Sequence, residues 1–227
     1  MKYSEFEKIM SFSRMNRYEV ACGRDSRKAM TLYRMNLRLS QELFTVISCF
    51  EVAIRNAIDR EYTARLGADW LRDVANAGGI FDKGNCIRTK EIIGRALTKL
   101  GRNYTHHKLL TDMDLGFWRF LFAQPQFSAG SHTLLKVFPS KPKSSATMQY
   151  NNHFVFNELR NTNDLRNRIA HHEPICFEFS RPVKSTTYAR QQYALLRQFF
   201  QWMSIDEGIL LYGIDHINEI CNRIDSL

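Results

Sequence analysis

The chain has 227 residues, of which 44% are hydrophobic and 24% are charged, a globular composition that excludes an intrinsically disordered protein. Five prolines and 11 glycines are few for this length, which disfavours a turn-rich β-sandwich and favours helices. The net charge of +9 indicates either a polyanionic partner or a generally basic protein.

The basic excess is confined to the first part of the chain. Residues 1–145 contain 24 Lys and Arg against 14 Asp and Glu, whereas residues 146–227 contain 8 against 9. Five widely spaced cysteines without a CxxC pair are typical of reduced thiols, not of a disulfide framework or a zinc site. The N-terminal residues lack the apolar run of a signal peptide, and the apolar stretch 43–54 is too short to cross a membrane. We therefore expect a cytoplasmic protein that is not bound to a membrane.

The first predicted elements are a short helix and a very long one. Ser4 and Glu7 have the spacing of a capping box and predict a short helix near the N-terminus. Asp25 is a candidate N-cap and Gly67 a candidate C-terminal stop, which together give a second helix of about 40 residues. An apolar stripe at spacings of three and four follows this second helix: Leu32, Met35, Leu39, Leu43, Val46, Phe50, Ile54 and Ile58.

Shorter elements follow along the chain. Glycines predict a loop over residues 72–85. His106 and His107, beside Lys108, have two interpretations, a phosphate contact or a solvated loop, of which we favour the loop. Lys141 and Lys143 belong to a basic loop that is either a linker or a phosphate contact. Helical patterns, with a second capping-box spacing over residues 204–207, predict helices over residues 86–101, 112–122, 147–161, 164–172, 186–203 and 213–226. The sequence therefore predicts one all-α domain over residues 1–227.

The segment 164–174 concentrates the residue types that suit phosphodiester chemistry. It contains Arg166, Asn167, Arg168, His171 and His172 at the end of a predicted helix. The fork of an arginine matches phosphate oxygens, and histidine exchanges protons near neutral pH. Asn167 and His171 share one helical face, whereas Arg166 lies about 140° away from His171. On residue types alone, a pair of histidines is also typical of a surface feature or of a hydrogen-bonded core group.

The motif resembles a known family. Arg166 and Asn167, followed by three residues and His171, are similar to the R-x(4–6)-H motif of the HEPN superfamily (higher eukaryotes and prokaryotes nucleotide-binding). The wider sequence resembles the Abi-like branch, the AbiD/AbiF-type abortive-infection proteins. The matching segments are residues 29–33 (AMTLY), 50–57 (FEVAIRNA), 115–118 (LGFW) and 165–173 (LRNRIAHHE).

The resemblance implies an all-α bundle with a four-helix up-and-down core and additional helices. It implies metal-independent and cofactor-free RNA cleavage, in which the ribose 2′-OH attacks the adjacent phosphate. His171 would transfer protons, Arg166 would hold the phosphate, and Asn167 would orient them. The doubled histidine leaves open whether His171 or His172 is the working group. The resemblance also implies a homodimer in which two motifs line one cleft.

Further residues have two interpretations each. Glu51 lies in an apolar run, and either pairs with Arg55 one helical turn away or reaches the motif and fixes one of its side chains. Arg55 and Asn56 are candidates for the same cleft, and Arg168 is a candidate RNA contact beside Lys141 and Lys143. His153 could join His171 and His172 around a metal, but no carboxylate or thiol spacing supports such a site.

Three functions follow from these observations. The first is an endoribonuclease toxin of phage defence or of a toxin–antitoxin pair, with RNA as substrate and a neutralising partner that is either a non-coding RNA or a protein. The second is a non-catalytic RNA-binding or sensing module of the same fold. The third is a helical interaction protein, in which Arg166 and His171 affect only stability.

Overall fold

The computed structural model describes all 227 residues, and its regular secondary structure is helical, with one isolated β-bridge between Phe177 and Lys184. The predicted all-α fold class is confirmed. The α-helices in chain order are α1 (Tyr3–Met10), α2 (Phe12–Ala21), α3 (Ser26–Leu66), α4 (Trp70–Asp73), α5 (Ile87–Leu100), α6 (His106–Thr111), α7 (Leu115–Phe120), α8 (Gln124–Ala129), α9 (Asn152–Ala170), α10 (Thr187–Trp202), α11 (Glu207–Leu210) and α12 (Ile217–Asp225). None of them combines the length and the apolarity that crossing a membrane requires.

Helix α3 has 41 residues and confirms the long helix predicted from the apolar stripe. Asp25 is its N-cap, because Oδ1 of Asp25 accepts the backbone N–H groups of Arg27 and Lys28 at 2.9 and 3.0 Å. At the other end Gly67 adopts a φ of +98°, and its N–H donates to the carbonyl of Thr63 at 3.0 Å. The helix therefore stops where a residue without Cβ takes the left-handed conformation.

The chain divides into two compact units. The first unit consists of residues 1–48, 164–198 and 207–227, and the second of residues 49–163 and 199–206. Helices α3, α9 and α10 contribute residues to both units. The interpretation of residues 1–227 as a single domain stays a prediction, as does the four-helix up-and-down core.

The first unit has an aromatic core that joins its N-terminal helices to the chain after α9. The ring of Tyr18 lies edge-on to Tyr33 and Phe177, with centroid distances of 5.2 and 5.0 Å. The side-chain Oδ1 of the buried Asn36 accepts the N–H of Ile175 at 2.9 Å. This hydrogen bond ties the segment that follows α9 to helix α3.

The second unit has a separate aromatic core. Phe199 stacks on Phe50 at a centroid distance of 5.3 Å and lies 5.7 Å from Phe138. Oδ1 of Asp59 accepts the indole N–H of Trp70 and lies within hydrogen-bond distance of Nε2 of His106, both at 2.8 Å. The interpretation of His106 as a solvated loop residue is therefore wrong, because its ring is half-buried against Asp59.

Several boundaries differ from those predicted. Helix α9 is continuous over Asn152–Ala170, whereas the sequence predicts separate helices over residues 147–161 and 164–172. Leu159, Thr162 and Leu165 are fully buried, so packing outweighs the low helix propensity of residues 161–164. Ser4 is not an N-cap, since α1 begins at Tyr3 and the Glu5 carboxylate accepts the N–H of Lys2.

Two helix boundaries in the C-terminal part of the chain also differ from the prediction. Ser204 has a φ of +59° and lies three residues before Glu207, the first residue of α11, so the predicted capping box at residues 204–207 is wrong. The last helix begins at Ile217, not at residue 213, because Gly213 adopts a φ of +76° and interrupts the helical conformation.

Candidate functional site

Helix α9 ends in a left-handed cap that determines where the two histidines lie. His171 continues the helical hydrogen bonding, because its N–H donates to the carbonyl of Asn167 at 2.9 Å. His172 then reverses the backbone with a φ of +57°. The N–H groups of His172 and Glu173 donate to the carbonyls of Ile169 and Arg168 at 3.0 and 2.8 Å. This is the arrangement usually closed by glycine, so His172 occupies a strained position.

The predicted catalytic residues lie on the first unit's part of α9 and just beyond its end. Arg166 and Asn167 are half-buried, and His171 is exposed. None of the three side chains forms a hydrogen bond or an ion pair within the chain, so their polar groups remain available to a ligand. The helical positions of Arg166 and His171 differ by about 140° around the helix axis.

Arg168 differs from Arg166 because the fold already uses its guanidinium. Nη2 of Arg168 donates to the carbonyl of Pro174 at 2.9 Å, and Nε lies 3.3 Å from the carboxylate of Glu173. The guanidinium carbon also lies 4.7 Å from the ring centroid of Tyr188, a cation–π contact. These contacts hold the segment after the helix in place, so Arg168 has fewer donors to offer RNA than the sequence suggests.

A pocket of about 350 Å³ lies in the first unit between the start of α2 and the end of α9. The predicted residues His171 and His172 line it together with Arg14, Arg17 and other residues from α2. Nη1 of Arg14 donates to the carbonyl of His172 at 2.8 Å, across 158 residues of sequence. Sequence reasoning missed the α2 residues, and the only available signal is two arginines three residues apart on one helical face.

The same pocket contains two residues other than glycine with positive φ. Ser11 has φ and ψ of 73° and 145°, a combination that is costly for a residue with a side chain, and its hydroxyl accepts the N–H of Arg14 at 3.4 Å. The second such residue is His172. Strained backbone of this kind is common at binding and catalytic sites, where the surrounding structure holds it in place.

The supporting candidates other than His172 lie in the second unit. Glu51 and Arg55 are half-buried on α3, and Nε of Arg55 donates to Oδ1 of the exposed Asn56 at 3.4 Å. In the loop before α9, Nζ of Lys141 donates to the carbonyl of Pro142 at 3.3 Å, and Lys143 is exposed. The supporting role of Glu51, Arg55 and Asn56, and the RNA contacts of the two lysines, stay predictions. No three His, Cys, Asp or Glu side chains lie close enough together to hold a metal ion, and this applies to His153, His171 and His172.

The comparisons with known proteins identify the family. The family model described as Abi-like protein matches residues 2–176, which include α1 to α9 and the whole of the motif segment 164–174. No curated protein and no solved structure matches the chain. Because the family model covers more than half of the chain, the chain belongs to the Abi-like family.

Proposed function

We propose that this Abi-like protein is a metal-independent endoribonuclease that acts as a toxin in bacterial abortive infection or in a toxin–antitoxin pair. The family supports a role in abortive infection. The observation that carries the enzymatic part is the set of Arg166, Asn167 and His171 at the end of α9. All three are polar, reach the surface and have no partner in the chain.

The chemistry that suits these side chains is transesterification within RNA. A neutral imidazole of His171 takes the proton from a ribose 2′-OH as its oxygen attacks the adjacent phosphorus. The P–O5′ bond breaks, the departing oxygen takes up a proton from solvent, and His171 returns its proton to solvent, which leaves a 2′,3′-cyclic phosphate and a 5′-OH end. Arg166 offers two parallel N–H donors to the phosphate oxygens, whose negative charge increases in the transition state.

The positions of Arg166 and His171 support a site made by two copies of the chain. The two residues lie about 140° apart around one helical axis, so they face different directions. A second α9 placed against the first would bring His171 of one copy towards Arg166 of the other. We therefore propose a homodimer as the active form.

The test is RNA cleavage in the presence of EDTA by the wild type, Arg166→Ala and His171→Ala. His153→Ala and Arg160→Ala are matched controls, because they remove an exposed histidine and an exposed arginine from the same helix. We expect loss of His171 to slow cleavage by about 10² to 10⁴-fold and loss of Arg166 by about 10² to 10³-fold, with both controls active. Equal rates in all five proteins, or no cleavage by the wild type, would contradict the proposal.

Mixing the two inactive variants tests the dimer. If each site uses Arg166 from one copy and His171 from the other, one site of a mixed dimer contains both substitutions and the other site contains neither. Coexpressed Arg166→Ala and His171→Ala chains should therefore recover measurable cleavage. A mixture as inactive as its components, with mixed dimers verified by mass, would place both residues in one chain's site.

The second candidate is a non-catalytic RNA-binding or sensing module that a non-coding RNA or a protein holds in check. A basic groove of about 280 Å³ in the first unit favours it, with Arg34 and Arg38 on α3 and Arg223 on α12 among its lining residues. Arg38 is exposed and has no partner in the chain. RNA binding without cleavage in the assay above would support this candidate.

A further inference from the structure

The pocket between α2 and the end of α9 has more positive than negative groups. Arg14 and Arg17 line it beside the two histidines, and its one carboxylate is that of Glu173. That carboxylate is 3.3 Å from Nε of Arg168 and is therefore largely compensated. The net positive charge of this pocket therefore favours the binding of an anion.

The two arginines of the pocket differ in how many donors they have left. Nη2 of Arg17 donates to the carbonyls of Glu178 and Arg181 at 3.0 and 2.8 Å, and its guanidinium lies 4.6 Å from the ring centroid of Phe177. Arg17 is thus a fixed positive charge that also holds the segment after α9. Arg14 is exposed and uses only Nη1, so its Nε and Nη2 donors remain available.

The hydrogen bond from Arg14 also fixes its position relative to the motif. Its acceptor is the carbonyl of His172, the residue directly after His171. Because His172 is held in the left-handed cap of α9, the Arg14 guanidinium cannot move far from the histidines without losing that bond. A group bound by the free donors of Arg14 therefore lies in the pocket that His171 lines.

We infer that this pocket is a phosphate-binding subsite for an RNA strand, with Arg14 as its principal ligand and Ser13 as a second donor. The inference rests on the proposed function and deepens it, because it assigns α2 a role that the family motif on α9 does not contain. A planar guanidinium with two free donors suits a phosphate oxygen pair, and the exposed hydroxyl of Ser13 lines the same pocket without a partner in the chain. The bound phosphate would be a neighbour of the scissile one and would set the register of the strand against His171.

The test measures binding of a short single-stranded RNA whose 2′-O-methyl groups prevent cleavage. Its affinity is determined over about 50 to 200 mM salt for the wild type, Arg14→Gln, Arg14→Lys and Arg27→Gln. Arg27 is the matched control because it is an exposed arginine of the same unit with no side-chain partner. Circular dichroism and thermal unfolding of each variant separate effects on binding from effects on folding.

We expect Arg14→Gln to weaken binding about tenfold and to reduce the slope of log K against log salt by about 0.7, the loss of one phosphate contact to a single strand. Arg14→Lys should keep the slope but bind more weakly than the wild type, because an ammonium lacks the fork. Arg27→Gln should stay within about twofold of the wild type, because Arg27 does not line the pocket and exposed charges are screened by salt.

The outcomes separate this inference from the nuclease. If Arg14→Gln and Arg27→Gln weaken binding equally, or if the slope is unchanged, Arg14 is not a phosphate ligand and the inference fails even when the wild type cleaves RNA. If the wild type binds the blocked RNA through Arg14 but does not cleave an unmodified strand, the nuclease proposal fails and the subsite stands. Should Arg14→Gln unfold, the Arg14→Lys variant decides through its affinity, and binding as strong as that of the wild type would overturn the inference.

Discussion

Replacing His172 by glycine tests the cap of α9 and the choice of working histidine in one experiment. The residue has a φ of +57°, which is favourable for glycine and unfavourable for any residue with a Cβ. Its two structural contributions come from the backbone, namely the N–H that donates to Ile169 and the carbonyl that accepts from Arg14. The His172→Gly substitution therefore removes the imidazole and leaves the backbone geometry around His171 unchanged.

The expected change in stability is small and has an unusual sign. Relief of the left-handed conformation contributes about 1 kcal/mol, the lower end of the penalty for a residue with a side chain. The greater freedom of glycine in the unfolded chain offsets roughly 0.4–1 kcal/mol of this gain. His172→Gly should thus have a free energy of unfolding between equal to that of the wild type and about 0.6 kcal/mol above it. His172→Ala keeps the conformational penalty and should be less stable than His172→Gly.

The comparison with a neighbouring position makes the argument testable. Ala170 is the last residue of α9, inside the helix, so Ala170→Gly should cost up to about 1 kcal/mol. Urea denaturation of the four proteins measures these differences, and each kcal/mol corresponds to about 2–4 °C in Tm for a chain of this size. If His172→Gly is less stable than His172→Ala, the left-handed cap is wrong. If His172→Gly loses RNA cleavage that His171→Ala retains, the working histidine is His172.

Three further predictions concern packing and thiol reactivity. Thr162 has a buried hydroxyl without a hydrogen-bond partner, so Thr162→Val should raise the free energy of unfolding by about 1 kcal/mol, whereas a loss in urea denaturation would mean that the hydroxyl is bonded. A Cβ at Gly79 would lie 2.5 Å from the carbonyl oxygens of Asp73 and Val74, so Gly79→Ala should lower the free energy of unfolding by about 2 kcal/mol. A Cβ at Gly94 on α5 would meet no other atom, so Gly94→Ala should leave that free energy unchanged or raise it. Burial raises the pKa of Cys176 to about 12, so its thiol should not react in the native protein. Iodoacetamide should label only the half-buried Cys22 and Cys49, as mass spectrometry can show. Labelling of Cys176 before unfolding would contradict its burial.

The long helix shows what sequence reasoning predicts well. The apolar stripe, the Asp25 cap and the Gly67 stop are all local signals, and the structure contains the helix with both ends in these places. Signals of this kind act over one or two turns and depend little on the rest of the chain. The ends of shorter helices, such as those at Ser4 and Ser204, depend on competing caps nearby, and there the prediction fails.

The interruption predicted in α9 shows why propensity alone is a weak guide. Residues 161–164 read Asn-Thr-Asn-Asp, a run that favours turns and caps. In the folded chain Thr162 is fully buried and Leu165 follows it into the core, so the helix continues through the run. Tertiary packing stabilises the helix here, and the local sequence does not reveal that packing.

One part of the candidate site can be predicted from local sequence, whereas the other part depends on contacts between residues far apart in the chain. Arg166, Asn167 and His171 form a motif within six residues and were therefore visible in the sequence. Arg14 lies 158 residues from its hydrogen-bond partner, and no local pattern connects the two. The packing of Tyr18 on Tyr33 and Phe177, together with the hydrogen bonds of Arg14 and Arg17, brings α2 to the chain after α9.

The arginines of the first unit form two groups, those whose donors are used within the fold and those whose donors remain free. Arg17 and Arg168 are bound to backbone carbonyls and to aromatic rings, so their charge is fixed in the fold and most of their donors are used. Arg166 has no partner, and Arg14 has only one. Arginines held near each other repel unless carbonyls, carboxylates or a bound anion compensate them. The fold uses most donors of the first pair internally, whereas Arg166 has no partner and Arg14 keeps free donors, which is the distribution expected if the proposed RNA strand completes the site with its phosphates.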